Sequence, residues 1–448
     1  MFRIGDSLKL INGRAFKPTE WKKSGRPIVR IQNLNNPDAS FNYFDGDLPE
    51  KFLLDHGDLL FAWSGTPGTS FGAHIWRGGK AWLNQHIFKV QFDETQFDKK
   101  FLQLAINQNL SEYIRAAHGG AGLAHITKGR FEESELPQPK IPEQRRIVAE
   151  IEKQFTRLEA GVAAMRRAEA NFKRYRASVL KAACEGRLVP MEAELAKAGN
   201  RKFETGEELL KRILTERRQN WQGRGKYKEP SAAKTADLPP LPRGWTWTTA
   251  QQLNLANRPC AYGVLQPGEN VPNGVPFVRV GDINNGTVQL ESMKRISTTI
   301  AAQYPRTKLH GGELAITLVG AIGRTAIIPE SLAGGNTARA VGVIPLTQQV
   351  NAHWVEIWFR NPAKNAEMDS KSHEVARKTL NLEDVRVASI ALPPVAEQTR
   401  IVAEVERRLS VIEELEAAVI ADLQRATRLR QSILHRSFSS EPLNANRE

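Results

Sequence analysis

Two stretches of the chain place apolar residues at alternating intervals of four and three. In the first, Ile151, Phe155, Leu158, Val162, Met165, Phe172, Val179 and Ala183 share one face, with Glu169 and Arg176 filling the series. The second carries Val405, Leu409, Ile412, Val419, Leu423, Ala426 and Ile433, again with two charges, Glu416 and Arg430. Such spacing is the seam of a coiled-coil helix. Pro142 precedes the first run and no further proline occurs until Pro190, while Gly161 is its weak point. About 35 residues at 1.5 Å each make a rod of roughly 50 Å. Each rod needs cover for its apolar stripe, and the other rod is the nearest candidate. Two such helices could pair antiparallel and hold two globular heads apart; the competing reading is ordinary surface helices, each packed on its own domain.

Outside these runs the pattern shortens. Residues 27–31, 57–63, 276–280 and 313–317 are β-rich segments punctuated by Gly, Asn and Pro, and residues 64–70 form a Gly/Thr-rich loop. These segments recur in order. Pro27-Ile-Val-Arg30 returns as Pro276-Phe-Val-Arg279, Gly57-Asp-Leu-Leu as Gly312-Glu-Leu-Ala, and Glu143-Gln-Arg-Arg-Ile-Val-Ala-Glu150 as Glu397-Gln-Thr-Arg-Ile-Val-Ala-Glu404. A period of about 250 residues is far beyond that of a solenoid. It describes one module, head plus helix, present twice. The expected fold is α/β: two similar mixed α/β domains, each followed by a long helix, with the helices paired as an antiparallel coiled coil of pseudo-two-fold symmetry. Expected boundaries are 1–141 and 240–393 for the heads, 142–186 and 394–438 for the helices, 187–239 for a basic connector and linker, and 439–448 for a tail. Within the connector, Thr205 and Glu208 stand at capping-box spacing before an amphipathic helix at 207–217. Leu241-Pro-Arg-Gly-Trp245 leads into the second head. The first has no comparable lead-in, which leaves its N-terminal boundary open.

Charge narrows the partners. The chain has 448 residues, 63 Lys and Arg against 49 Asp and Glu, and a net charge of +14, which favours a polyanion. No run reaches the roughly 20 apolar residues of a membrane helix and no secretory signal opens the sequence, so a cytoplasmic protein is the simplest expectation. Two cysteines, Cys184 and Cys260, cannot supply a disulfide framework or a four-thiolate metal site.

Catalytic motifs are not apparent. Gly223-Arg-Gly-Lys-Tyr lacks the spacing and terminal hydroxyl of a phosphate-binding loop, and Asn361-Pro-Ala-Lys364 departs from the Asn/Asp-Pro-Pro-aromatic stretch of amino-methyltransferases. The nine histidines are scattered without zinc-ligand spacing. No catalytic residue, metal or cofactor is expected.

The polar residues that follow matched strands can read bases. Arg suits guanine, Gln and Asn suit adenine, and Asp accepts from cytosine. The candidates are Arg30, Gln32 and Asn33 in the first head and Arg279, Asp282 and Asn284 in the second. Lys128 and Arg130, with Lys371, Arg377 and Lys378, suit phosphate contacts, and Ser64, Thr66 and Thr69 could donate to phosphate from their turn. The same residue types also cap turns and face solvent. Trp63, Trp76 and Trp82 fit core positions better than base-stacking ones.

The head–helix duplication and the repeated Glu-Gln-x-Arg-Ile-Val-Ala-Glu motif resemble the specificity subunit of type I restriction–modification systems. The likeness spans most of the chain, including Leu83-Asn-Gln-His-Ile-Phe88, Leu136-Pro-Gln-Pro-Lys-Ile-Pro-Glu-Gln144 and Leu392-Pro-Pro-Val-Ala-Glu-Gln398. It implies a non-catalytic subunit of an adenine-N6 methyltransferase and restriction complex. Each head would read one half of a split target in double-stranded DNA, and the helices would set the gap. Two modification subunits, which bind S-adenosylmethionine, and two restriction/translocation subunits would be partners. Spacer and partner-docking positions would include Glu143, Gln144, Ile147, Ile151, Phe155, Leu158 and Val162, with Glu397, Gln398, Ile401, Val405, Leu409 and Ile412. At the second copy, Ala315-Ile-Thr stands for Leu60-Phe-Ala, and Asn336-Thr-Ala-Arg-Ala aligns with Asn84-Gln-His-Ile-Phe. A solitary DNA-binding protein and a structural interaction protein are the competing readings.

Overall fold

The computed structural model describes every residue except 37, 66–69, 117–123, 224, 292, 375–377 and 439–448. The chain forms two compact units, one of Met1–Arg167 with Val419–Glu448 and one of Ala168–Ala418. Two helices of 44 residues, Ile141–Cys184 and Val395–Phe438, each give one part to each unit.

The first head is built on an antiparallel sheet ordered Lys9–Asn12, Ile87–Gln91, Leu59–Ala62, Gly72–Ile75. All four residues of Leu59–Ala62 are buried because the strand has a core on both faces. Leu59 and Phe61 join the layer beneath helix Lys99–Gln108, whereas Leu60 and Ala62 join a second layer with Val29, Trp76 and Leu83. A second sheet runs Asn42–Phe44, Arg26–Val29, Ala81–Leu83, Leu53–Leu54, with its central pair parallel. Trp76 and Trp82 are core residues, and Trp63 lies against His86, Phe88 and His125.

The second head repeats this plan. Its main sheet runs Ala261–Tyr262, Val341–Ile344, Leu314–Thr317, Thr325–Ile327, and Val275–Val278 again pairs in parallel, here with Asn336–Thr337. The parallel register corrects one alignment. Val29 faces Leu83 and Val278 faces Thr337, while Arg14 bridges Asn84 and Val264 bridges Ala338. Asn84 therefore corresponds to Ala338, and Asn336 corresponds to Trp82. The shared strand pairing, rather than the shared asparagine, fixes the correspondence.

The seams are occupied within each unit. In the first, Val148 and Ile151, flanked by Ile147, Phe155 and Leu158, pack with Ile433 and Leu434 in the core of the head. In the second, Val179, Leu180 and Ala183 join Ile401, Val402, Val405, Leu409 and Ile412. Early residues of one helix meet late residues of the other in both units, so the pairing is antiparallel. Val162 is half-buried.

Three of the four seam charges have cross-helix partners. Arg176 Nη2 lies 3.1 Å from Glu416 Oε2, with both side chains about four-fifths buried, and Arg430 Nη1 lies 3.1 Å from Glu159 Oε1 with its guanidinium over the Phe155 ring. Glu169 stays on its own helix beside Lys173. Interrupting an apolar seam with an ion pair sacrifices packing but penalises shifted registers, in which a half-buried charge would lose its partner.

The connector contains two helices, Glu192–Ala198 and Gly206–Gln219. Thr205 Oγ1 accepts from Glu208 N and the Glu208 carboxylate accepts from Thr205 N, completing the capping box. Leu209 and Ile213 bury the helix's apolar face against the second head. Cys184 and Cys260 are also buried, and burial pushes the Cys184 thiol up to about 12. Both thiols should resist alkylation in the folded protein and react on unfolding, which mass spectrometry across a urea gradient would measure. No helix among the described residues is long and apolar enough to cross a membrane.

Candidate nucleic-acid interface

Strands Arg26–Val29 and Val275–Val278 lead into different structures in the two heads. In the first, residues Ile31–Asn35 form a helical turn. Asn33 is its bracket: Oδ1 accepts from Arg30 N at 3.0 Å, and Nδ2 donates to the Ala39 and Ser40 carbonyls at 3.3 Å. This amide is buried and committed to the backbone, which removes Asn33 from the base-reading candidates and makes it a support. Gln32 is exposed beside it, and the Arg30 guanidinium sits over Trp21.

In the second head the strand enters a short 3-10 turn and then a hairpin of Ile283–Asn284 with Thr287–Val288. Asn285 and Gly286 form its tip with φ values of 47° and 86°, the geometry favoured by an Asn-Gly type I′ turn. The Asn-Gly pair was a readable hairpin signal that the strand pattern alone missed. Asp282 is also a support. Its carboxylate accepts from Arg279 N at 2.8 Å and from the guanidinium at 2.9 and 3.1 Å, and it is buried. It is thereby withdrawn from cytosine reading. The pairing holds the Arg279 guanidinium above its usual range. Asn284 is exposed on the hairpin.

The basic candidates lie on the surface. Lys128 is in helix Lys128–Glu132, 3.4 Å from Glu132, with Arg130 exposed on the same helix. Lys371 bonds Glu367 at 2.7 Å, and Lys378 lies 3.0 Å from Asp369. Exposed pairs of this kind contribute about 0–1 kcal/mol and present little obstacle to a phosphate. Ser64 Oγ lies 3.1 Å from His125 Nδ1. Thr66, Thr69 and Arg377 lie outside the described residues.

The repeated Glu-Gln dipeptide, placed by the resemblance among spacer and partner-docking positions, makes bonds within the chain itself. Gln144 is fully buried: Oε1 accepts from Asp98 N at 2.7 Å, and Nε2 donates to the carbonyls of Gln96 and Pro139 at 2.8 Å. Asp98 caps helix Lys99–Gln108. Gln398 repeats the arrangement, accepting from Asn351 N at 2.9 Å and donating to the Pro393 carbonyl at 2.8 Å, and Asn351 caps helix Ala352–Arg360. Each glutamine therefore joins the start of a long helix to the capped start of a head helix. Glu397 is buried as well, accepting from Glu192 N and Trp245 Nε1, and burial pushes its carboxyl up. Glu143, its counterpart, is half-exposed and pairs with Arg146. Gln144, Gln398 and Glu397 hold the chain's own parts together, because their bonding groups face inward. Gln144→Ala or Gln398→Ala should destabilise its unit by about 1–3 kcal/mol by orphaning buried backbone groups, read from denaturant unfolding.

Helices Lys99–Gln108 and Ala352–Arg360 also meet equivalent strands with different chemistry. In the first head Asn107 exchanges two bonds with the Ala73 backbone, at 2.8 and 2.9 Å, and Gln103 donates to the same carbonyl. In the second, Glu356 accepts from Thr325 Oγ1 at 2.9 Å, and Arg360 donates to the Asn285 carbonyl at 2.7 Å. Burial pushes the Glu356 carboxyl up, opposed by the nearby Arg360.

A family profile described as the type I restriction modification DNA specificity domain matches residues 1–164 and 266–425. A curated relative, the type I restriction enzyme EcoBI specificity subunit of Escherichia coli, is 31% identical over 435 residues, covering 96% of this chain and 84% of the relative. The EcoKI specificity subunit of Escherichia coli strain K12 is 23% identical over 96% of this chain and 86% of its own length. A chain solved in work on complex assembly and conformational transition of the type I R-M system matches the fold with a TM-score of 0.56 at 18% identity. That match covers 97% of this chain and 98% of the solved one.

Proposed function

We propose, for a chain that belongs to the type I restriction–modification DNA specificity family, that each head reads one half of a split duplex target while the paired helices set the gap. The observation that carries this reading is a duplicated head with one shared framework and two different polar elements. Sheet order, parallel strand pair and glutamine joint are common to both heads. The segment after the parallel strand is a helical turn in one and an Asn-Gly hairpin in the other. A common scaffold with unlike polar tips suits two unlike half-sites.

Lys128, Arg130, Lys371 and Lys378 would neutralise phosphates and fix register, while Arg30, Gln32, Arg279 and Asn284 would supply the base-directed groups. The exposed faces of the long helices would dock two modification subunits that methylate adenine N6 with S-adenosylmethionine, and two restriction/translocation subunits would complete the assembly in the cytoplasm. This chain would position DNA and carry no reacting group.

Mapping methylated adenines in the native genome before and after deleting the gene tests the reading. Loss of methylation at one bipartite motif is expected, and an unchanged map would overturn it. Contact roles have a separate test. In the assembled methyltransferase, Lys128→Ala/Arg130→Ala should weaken specific and non-specific binding alike and lower the magnitude of the salt slope by about 1–2. Binding isotherms across a salt series measure both quantities; an unchanged slope removes these residues from the phosphate-contact set.

A further inference from the structure

The hairpin of the second head is fastened at both ends by charge. At its base, the Arg279–Asp282 bracket fixes the 3-10 turn, and Gln289 N closes onto the Asp282 carbonyl at 2.8 Å. At its tip, Arg360 Nη1 reaches the Asn285 carbonyl at 2.7 Å from helix Ala352–Arg360. Arg360 lies 3.4 Å from Glu356, which is 3% exposed and also bonds Thr325 on the main sheet. A Cβ on Gly286 would come within 2.4 Å of Arg360 Nη1, so the glycine permits the close approach as well as the turn. Ile283 is fully buried, whereas Asn284, Asn285, Thr287 and Gln289 are exposed. The structure thus fixes a two-stranded ribbon with the amides of Asn284, Asn285 and Gln289 exposed, while the Thr287 hydroxyl donates to the Asn284 carbonyl at 3.0 Å.

From this geometry we infer that Arg360 is a specificity-positioning residue, and that the ribbon it pins is the base-reading element of the second head. The inference rests on the half-site reading proposed above and deepens it. A major groove admits a two-stranded β-ribbon, and the carboxamide of Asn or Gln can pair with two groups on adenine. Two hydrogen bonds of fixed direction require a fixed backbone, because a loose tip would pay an ordering cost on every encounter. Arg360 is suited to that task. Its planar guanidinium carries several donors in a fixed fork and reaches the carbonyl while remaining beside the buried carboxylate. Among the described residues of the first head, the segment after the parallel strand is a helical turn rather than a ribbon, and no ion pair holds it. Gln103 and Asn107 occupy the corresponding helix positions and bond to the Ala73 backbone of the sheet. The clamp therefore accompanies the ribbon, and not the shared framework.

The first head supplies the test substitution. Glu356→Gln/Arg360→Asn places its neutral amide pair in the second head and removes the tip bond without stranding a buried charge. In the assembled methyltransferase, methylation should become degenerate at one or more positions of the half-site read by this head. The preference for the original base should fall about 5- to 150-fold, the range carried by one bidentate base contact. The other half-site and the salt slope of non-specific binding should be unchanged. Asn284→Ala should loosen the same half-site, and Arg360→Lys, which keeps a cation beside Glu356, should lie between wild type and the double variant. Sequencing methylated products from randomised half-site libraries reads all three. A folded double variant with unaltered preference at both half-sites overturns the ribbon assignment. Equal loss at both half-sites overturns the positioning role, marking the ion pair as general support. A wild-type complex that selects no bipartite motif would instead sink the underlying half-site reading.

Discussion

Replacing residues 1–141 with the corresponding head of another family member should change one half of the methylated motif completely and leave the other half intact. The expected effect is large because discrimination multiplies across positions, each worth about 1–3 kcal/mol. The joint makes the exchange practicable. The head contacts its helix through Gln144, which bonds Asp98 N and the Gln96 and Pro139 carbonyls, so a donor head needs a capped helix and a strand end at the same places. Keeping Gln144 from this chain and the donor's residues up to its matching proline preserves that geometry. The first core also uses Ile433 and Leu434, and a donor with different packing at those positions would fold poorly. Unfolding of the exchanged protein is therefore measured before its motif is mapped. In a folded exchange, simultaneous change of both half-sites would contradict independent reading by the two heads.

The framework of this protein is legible in its sequence because it depends on long or repeated patterns. The alternating four-and-three spacing located both helices, and the recurrence of Pro-x-Val-Arg and Gly-Asp/Glu-Leu located matching strands. The seam charges also found a physical account, since Arg176 and Arg430 each meet a glutamate of the other helix. Polar side chains were less legible. Asn33 and Asp282 have the chemistry of base readers, yet each is buried and spends its acceptors on a local turn. Gln144 and Gln398 stood among the spacer or partner-docking positions that the family resemblance implies. They repeat because each head must be joined to a helix, a requirement met only by residues about 46 positions apart in sequence. Arg360 carried no sequence signal at all. Its role depends on a carbonyl 75 residues away, and only the folded helix brings the two within hydrogen-bond distance.

Removing seven residues from each long helix should shorten the preferred gap between unchanged half-sites by about three base pairs. Seven helical residues span about 10 Å, and a base pair rises about 3.4 Å. The ion pairs indicate where to cut. Taking seven residues between Glu159 and Arg176 and seven between Glu416 and Arg430 leaves both cross-helix pairs in place. A heptad also preserves the face that each seam presents, since two turns of 3.5 residues return to the same side. Deleting from one helix alone has a different result: the two ion pairs can no longer form together, and one seam slides past the other by about two turns. The single deletion should therefore lose stability and methylation, whereas the paired deletion should fold and shift its target. Three base pairs is an upper bound, because rotation of a head about the rod changes its angular position on the duplex as well as its distance. Selection from DNA libraries with randomised gap lengths, using the assembled methyltransferase, measures the shift. A folded paired-deletion protein that keeps the original gap would show that something other than these helices sets it.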